Sequence, residues 1–149
     1  MHYFDTGVLL KLYTVESESA AVQDFVSRRG ASIPFHSFHD SECSSAFHLK
    51  AFRGECSIPQ ANRALEDLHE DIRNGVLCRV RPEWDDVWDR CRELSLAHAA
   101  VTGCRTLDTL HIACAIELGF RNFVTSDKRQ HALAERMGLQ VIDPTQDSQ

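Results

Sequence analysis

Four acidic residues, Asp5, Glu42, Asp108 and Asp127, stand far apart in this chain of 149 residues. Asp5 follows the apolar start in "YFDTGVLLKLY", Glu42 lies within "SFHDSECSS", Asp108 within "RTLDTLHIACAIEL", and Asp127 comes after "NFVTS". Carboxylates brought to one place repel one another, and some of them take up protons. A divalent cation with a preference for oxygen, Mg²⁺ or Mn²⁺, removes that penalty and bridges carboxylates to substrate phosphates. Such an ion activates a water, polarises a phosphoryl oxygen and shields the phosphate from an acidic protein. It would also explain how a chain of net charge -6 handles a polyanion.

Other chemistries compete for Asp5. The tripeptide Asp5-Thr6-Gly7 is that of aspartic proteases, which are β-rich and need two aspartates sharing one proton. Here it occurs once, and Val8, Leu9, Leu12 and Tyr13 follow it at helical spacing, where a protease needs loop and strand. Phosphatases of the haloacid-dehalogenase type need a second Asp two residues after the first, and position 7 is Gly. A plainer role is helix capping, since Asp5, Asp108 and Asp127 each precede an apolar-periodic stretch. Glu42 fits that role less well. Glu is not a favoured cap and position 42 falls inside its helix, although the helix dipole favours an early Glu.

The elements that would position these acids alternate in type. Strands are expected at 2–5, 32–36, 76–80, 122–126 and about 139–142, with Pro34 weakening the second. Helices are expected at 6–13, in "SESAAVQDFVSRRG", from about 38 to 53, after a Ser57 cap with Pro59 in the first turn, and near 83–102, 108–118 and 128–137. Strand–helix alternation predicts an α/β fold with a mainly parallel sheet. In such sheets ligands collect at the carboxyl ends of the strands, which is where these acids fall.

Size and composition set the frame. The length suits one domain with a proper core, assigned to 1–143, with a polar tail at 144–149. Hydrophobic residues make up 43% and charged residues 26%, as in soluble globular proteins. A protein that binds nucleic acid by simple electrostatics is usually basic, so with a negative net charge a phosphate-rich partner needs a local patch or metal cations. No stretch is apolar enough to span a bilayer and no export signal is legible, so no membrane and a cytoplasmic setting are expected. The cysteines at 43, 56, 78, 91, 104 and 114 form no C-x-x-C pair and read as reduced thiols.

Several further residues have chemistry to offer. His36 and His39 have a spacing that permits metal ligation, but no H-E-x-x-H or cysteine partner adjoins them. His111, three residues after Asp108, is expected to pack or hydrogen-bond within its helix rather than act as a general base. Trp84 and Trp88, at i,i+4 spacing, are expected as core or interface anchors rather than base-stacking platforms.

The ordered stretches "YFDTGVLLKLY", "SEC" with "HLKAFRGE", and "RTLDTLHIACAIELGFRNFVTSDKRQHALAERMGLQVI" together resemble the PIN domain family, and more closely its VapC-type toxins. The resemblance spans nearly the whole chain. It implies a three-layer α/β/α fold around a mainly parallel sheet of about five strands. It implies an endoribonuclease dependent on Mg²⁺ or Mn²⁺, with Asp5, Glu42, Asp108 and Asp127 as catalytic metal ligands and Thr6 and Thr125 supporting them. It also implies an RNA substrate, a cognate antitoxin that blocks the acidic pocket, and a homodimer. Where the family usually carries a hydroxyl residue, this chain has Gly7.

Lys11, Lys50, Arg53, Lys128 and Arg129 are the candidate contacts to RNA phosphates, although solvated charges on helix faces are the commoner role for such residues. Two rival readings share the fold: a PIN-like binding module without turnover, and a nuclease of RNA processing outside any toxin system.

Overall fold

The chain begins with strand β1 (His2–Phe4), helices α1 (Thr6–Tyr13) and α2 (Ser19–Arg29), strand β2 (Ile33–Phe35) and helices α3 (Ser37–Phe52) and α4 (Ile58–Arg73). Strand β3 (Leu77–Arg79), helices α5 (Trp84–Thr102) and α6 (Thr106–Glu117), strand β4 (Asn122–Val124), helix α7 (Lys128–Arg136) and strand β5 (Gln140–Ile142) follow. This computed structural model describes residues 1–146. Local signals account for many boundaries. Ser57 and Gln60 exchange side chain-to-backbone hydrogen bonds in a capping box that starts α4, and Gly30 ends α2 in the left-handed conformation at φ 57°.

Every strand pairing is parallel, in the order β1–β4–β5 and, separately, β2–β3. The single sheet of about five strands expected from the sequence is therefore corrected: five strands form, but they hydrogen-bond as a three-stranded and a two-stranded sheet. The strands β1 and β2 lie side by side without joining. Pro34 explains this. Ile33 donates to Val76 O and Phe35 O accepts from Val80, so the backbone of these residues faces β3. Alternation turns the backbone of Pro34 towards β1, where proline has no N–H to offer. The Phe4 carbonyl is taken instead by Nε2 of His39 at 3.0 Å.

Side-chain alternation along the strands divides the core into two layers. Phe4, Ile33, Phe35, Leu77 and Val124 pack with α1, α2, α3 and α4. Tyr3 and Phe123 point the other way, into α5, α6 and α7. The result is the expected three-layer α/β/α arrangement. Among the described residues no helix is long and apolar enough to cross a membrane. All six cysteines are free.

At the C-terminus, the Asp143 carboxylate accepts from the backbone and hydroxyl of Thr145 and from the Gln146 amide, which holds a turn over 144–146 with Pro144 buried. That turn covers the start of the expected polar tail. Its remainder, 147–149, lies outside the described residues.

Candidate active site

The four acids reach one cavity from four elements. Asp5 ends β1 and caps α1, Glu42 projects from α3, Asp108 from the first turn of α6, and Asp127 caps α7 after β4. All four line a cavity of about 550 Å³, together with Thr6, Gly7, Lys11, Lys50, Arg53 and His111. Parallel strands make this so: each carboxyl end opens onto the same edge, where the following helices begin.

Asp5 is the deepest of the four, with 2% of its surface exposed. Its Oδ1 accepts the Val8 N–H at 2.7 Å and its Oδ2 the Thr125 hydroxyl at 2.6 Å. Burial raises its pKa, against the opposing influence of His111, these two hydrogen bonds and Lys11. Among the described residues no cation touches it directly. A buried carboxylate held only by neutral donors is a natural place for a positive ion to settle.

Glu42 is gripped at one oxygen. Oε2 accepts from the Thr6 hydroxyl at 2.6 Å and lies 2.8 Å from Nε2 of His111. Asp108 stands third in α6, which starts two residues earlier than expected. Its Oδ2 accepts from the backbone N–H of Arg105 at 3.1 Å and from Nε of the same residue at 3.2 Å. Asp127 accepts at Oδ1 from the backbone of Arg129 and Gln130, and at Oδ2 from Nη2 of Arg129 at 3.3 Å. Partial burial pushes its pKa up, but the hydrogen bonds from Gln130 and Arg129 outweigh it and the net shift is downward. Capping and convergence are therefore not alternatives. Asp5 and Asp127 do both.

The other candidates divide. Lys11, Lys50 and Arg53 line the cavity, while Lys128 and Arg129 are not among its lining residues. Lys11 pairs with Glu18 and donates to Ser126 at 3.0 Å; Lys50 bridges Glu16 and Glu55 at 3.0 and 3.1 Å. Thr6 lines the cavity, and Thr125 acts from behind through Asp5. Gly7 is exposed, and a Cβ there would sit 3.5 Å from Oδ1 of Asp5, an ordinary contact.

Of the histidines, His111 is the one placed differently from expectation. His36 and His39 are buried and stacked, with ring centres 3.9 Å apart, and they bond to Tyr3 and Phe4. His111 does not bond within its helix: it reaches Tyr3, Thr6 and Glu42 on three other elements. Its spacing from Asp108 and the spacing of Tyr3 from Asp5 put each histidine and tyrosine on the side of its element that carries an acid, a signal present in the sequence. Trp84 packs against the second core layer, with its indole edge-on to His36, while Trp88 is about half exposed.

The donor set suits a hard cation: the four acids offer only oxygens, all line the same cavity, and among the described residues Asp5 has no positive partner. Among the described residues no three acidic, histidine or cysteine side chains form a closed metal cage. Mg²⁺ does not need one, because it keeps several waters and takes one or two carboxylates.

The PIN domain family model matches residues 2–136. In fold the chain is similar to the crystal structure of FitAcB from Neisseria gonorrhoeae, with a TM-score of 0.59 and 15% identity over 98% of this chain and 99% of that one. At that identity the likeness is one of fold. No curated protein matches the chain in sequence.

Proposed function

The chain belongs to the PIN domain family, and from that premise we propose that it is a Mg²⁺- or Mn²⁺-dependent endoribonuclease, the toxin of a toxin–antitoxin pair. The observation that carries the reading is the cavity into which Asp5, Glu42, Asp108 and Asp127 all open. PIN domains are in general nucleases, and a carboxylate-lined pocket is the chemistry a phosphodiester needs once a cation is present.

Asp5, Glu42, Asp108 and Asp127 would hold the divalent ion, which when bound supplies an activated water and charge shielding at the scissile phosphate. The protein's own groups prepare the ground. Thr125 and the Val8 amide fix the Asp5 carboxylate; Thr6 and His111 fix that of Glu42. Lys11, Lys50 and Arg53 stand in the cavity wall where strand phosphates would lie. Contacts of this kind make RNA affinity fall with added salt.

The antitoxin is a protein that covers this opening with a basic side chain. This chain's own Arg105 and Arg129 lie 3.2 and 3.3 Å from Asp108 and Asp127, contacts of the kind such a side chain would make. A cytoplasmic homodimer with no membrane association completes the reading. The same two arginine pairs favour a second reading, a PIN-like module without turnover, in which the chain's own cations occupy the acids.

The experiment is incubation of purified protein with total RNA, with Mg²⁺, Mn²⁺ or a chelator. Cleavage that needs the metal and disappears in Asp5→Asn supports the nuclease; equal activity in Asp5→Asn and the wild type removes it. A small reading frame abutting this gene, whose product suppresses cleavage, separates a toxin from a processing enzyme.

A further inference from the structure

Behind Glu42, groups from β1, α3 and α6 form one directed series of hydrogen bonds. The Tyr3 hydroxyl lies 2.9 Å from Nε2 of His36 and 3.0 Å from Nδ1 of His111, and it has one proton to give. Both ends of the series decide where that proton goes. Nδ1 of His36 accepts the backbone N–H of His39, so its ring hydrogen is on Nε2 and points at Tyr3. Nε2 of His111 lies 2.8 Å from Oε2 of Glu42, the oxygen that also accepts the Thr6 hydroxyl, so the hydrogen of that contact sits on the nitrogen. For a neutral His111 ring, Nδ1 is then an acceptor and Tyr3 donates to it.

The resulting order is His36 to Tyr3 to His111 to Glu42. The Thr6 proton is committed to the same Oε2 at 2.6 Å, which leaves its oxygen free to accept the long 3.1 Å contact from His111. Exposure of 1% at His36, 0% at Tyr3 and 3% at His111 means that these polar groups rely on one another rather than on bulk water. Both bonds that reach Glu42, from Thr6 and His111, hold Oε2, while Oε1 has no hydrogen-bond partner among the described residues, on a side chain that lines the cavity.

We propose that Tyr3, His36 and His111 are positioning residues: they lock Oε2 of Glu42 in place and so present Oε1 to the cation-binding cavity. The catalytic consequence rests on the nuclease reading; the geometry does not. A hydrogen-bonded network of this kind behind a metal-binding carboxylate fixes its rotamer before the ion arrives.

Two measurements test it. In long-range ¹H–¹⁵N spectra of the metal-free protein, His111 is expected as the Nε2–H tautomer, with its Nδ1 signal moving in Tyr3→Phe as the donor is lost. In RNA cleavage with Mn²⁺, Tyr3→Phe is expected to lower kcat roughly 10- to 100-fold with KM within about twofold. His111→Gln, whose amide N–H takes the place of the ring donor to Glu42, retains more of kcat than His111→Leu. A core role alone would not produce that rescue at matched melting temperature.

An Nδ1–H tautomer at His111 in the wild type overturns the relay, as does unchanged kcat in a folded Tyr3→Phe. Should Tyr3→Phe not fold, equal kcat in His111→Gln and His111→Leu overturns it. If the wild type cleaves no RNA, the nuclease reading falls, and the relay is decided by the tautomer together with Mn²⁺ binding: weaker Mn²⁺ affinity in Tyr3→Phe supports it and equal affinity overturns it.

Discussion

The hydroxyl of Thr125 donates a 2.6 Å hydrogen bond to Oδ2 of Asp5, tying the end of β4 to the end of β1. The other oxygen of Asp5 caps α1. One carboxylate thus joins the sheet edge to the first helix while lining the cavity, and its substitution separates these roles.

Asp5→Asn keeps a cap-competent oxygen for Val8 and removes the charge. Burial raises the Asp5 pKa in the folded protein, so the unfolded state binds fewer protons there as pH rises above about 3.8. The group's favourable contribution is therefore complete below that pH. It is lost as pH rises through the raised folded value, by up to about 1.4 kcal/mol for each pH unit crossed. Asp5→Asn is expected to melt no lower than the wild type at pH 7 and to lose all metal-dependent cleavage. A large drop in melting temperature would show that the charge itself is structural.

At Asp127 the pair Asp127→Asn and Asp127→Ala divides capping from charge. Asn still accepts from the backbone of Arg129 and Gln130, and Ala does not. Ala should cost about 1 kcal/mol of stability and Asn a few tenths. Both should reduce cleavage alike if the charge is what the site uses. Denaturant titration and a cleavage assay read the two effects independently.

Gly7→Ser restores a side-chain hydroxyl beside Asp5. The added Cβ meets Oδ1 of Asp5 at an ordinary 3.5 Å, and the backbone at position 7 is not in the left-handed region. Replacing glycine in a helix stabilises by about 0.5 kcal/mol. The expected outcome is a small rise in melting temperature with faster RNA cleavage. A slower enzyme would mean that the open space at Gly7 serves the substrate.

Acid should unfold this protein through its buried histidines. Burial, with help from His111, lowers the pKa of His36 to about 3, and burial lowers that of His39 as well. Unfolded, both titrate near 6.5, so below that pH the unfolded chain binds protons the folded chain refuses. Stability is full above about pH 6.5 and is lost as pH falls towards 3, by up to about 1.4 kcal/mol per pH unit for each histidine. His36→Gln should flatten that slope in urea melts taken from pH 7 to pH 4. An unchanged slope would contradict the assignment of a neutral His36.

Much of the fold was legible because its signals are local. The Ser57 box, the left-handed Gly30 and the apolar spacing of Val8, Leu9 and Leu12 each act within a turn or two of chain. The two-sheet division is not legible in the sequence, where Pro34 only weakens the second strand: which neighbour lacks its donor depends on the side to which that residue faces. Asp108 has the chemistry of a cap, which puts the expected start of α6 at 108, whereas it reaches back from the third position to the Arg105 N–H.

Taken alone, the sequence determined which acids the molecule owns and, through strand–helix alternation, that they would meet at one edge, since parallel strands all open the same way. Tertiary structure decided what holds each one. The partners of Glu42 come from α1 and α6, those of Asp5 from its own helix and from β4, and no periodicity in the chain encodes a hydrogen bond between residues a hundred positions apart. Likewise His111 carries the same letter whether it packs in a helix or orients a carboxylate. Its role is fixed by the Tyr3 hydroxyl on one side of its ring and Glu42 on the other, and that placement exists only once β1, α3 and α6 have packed.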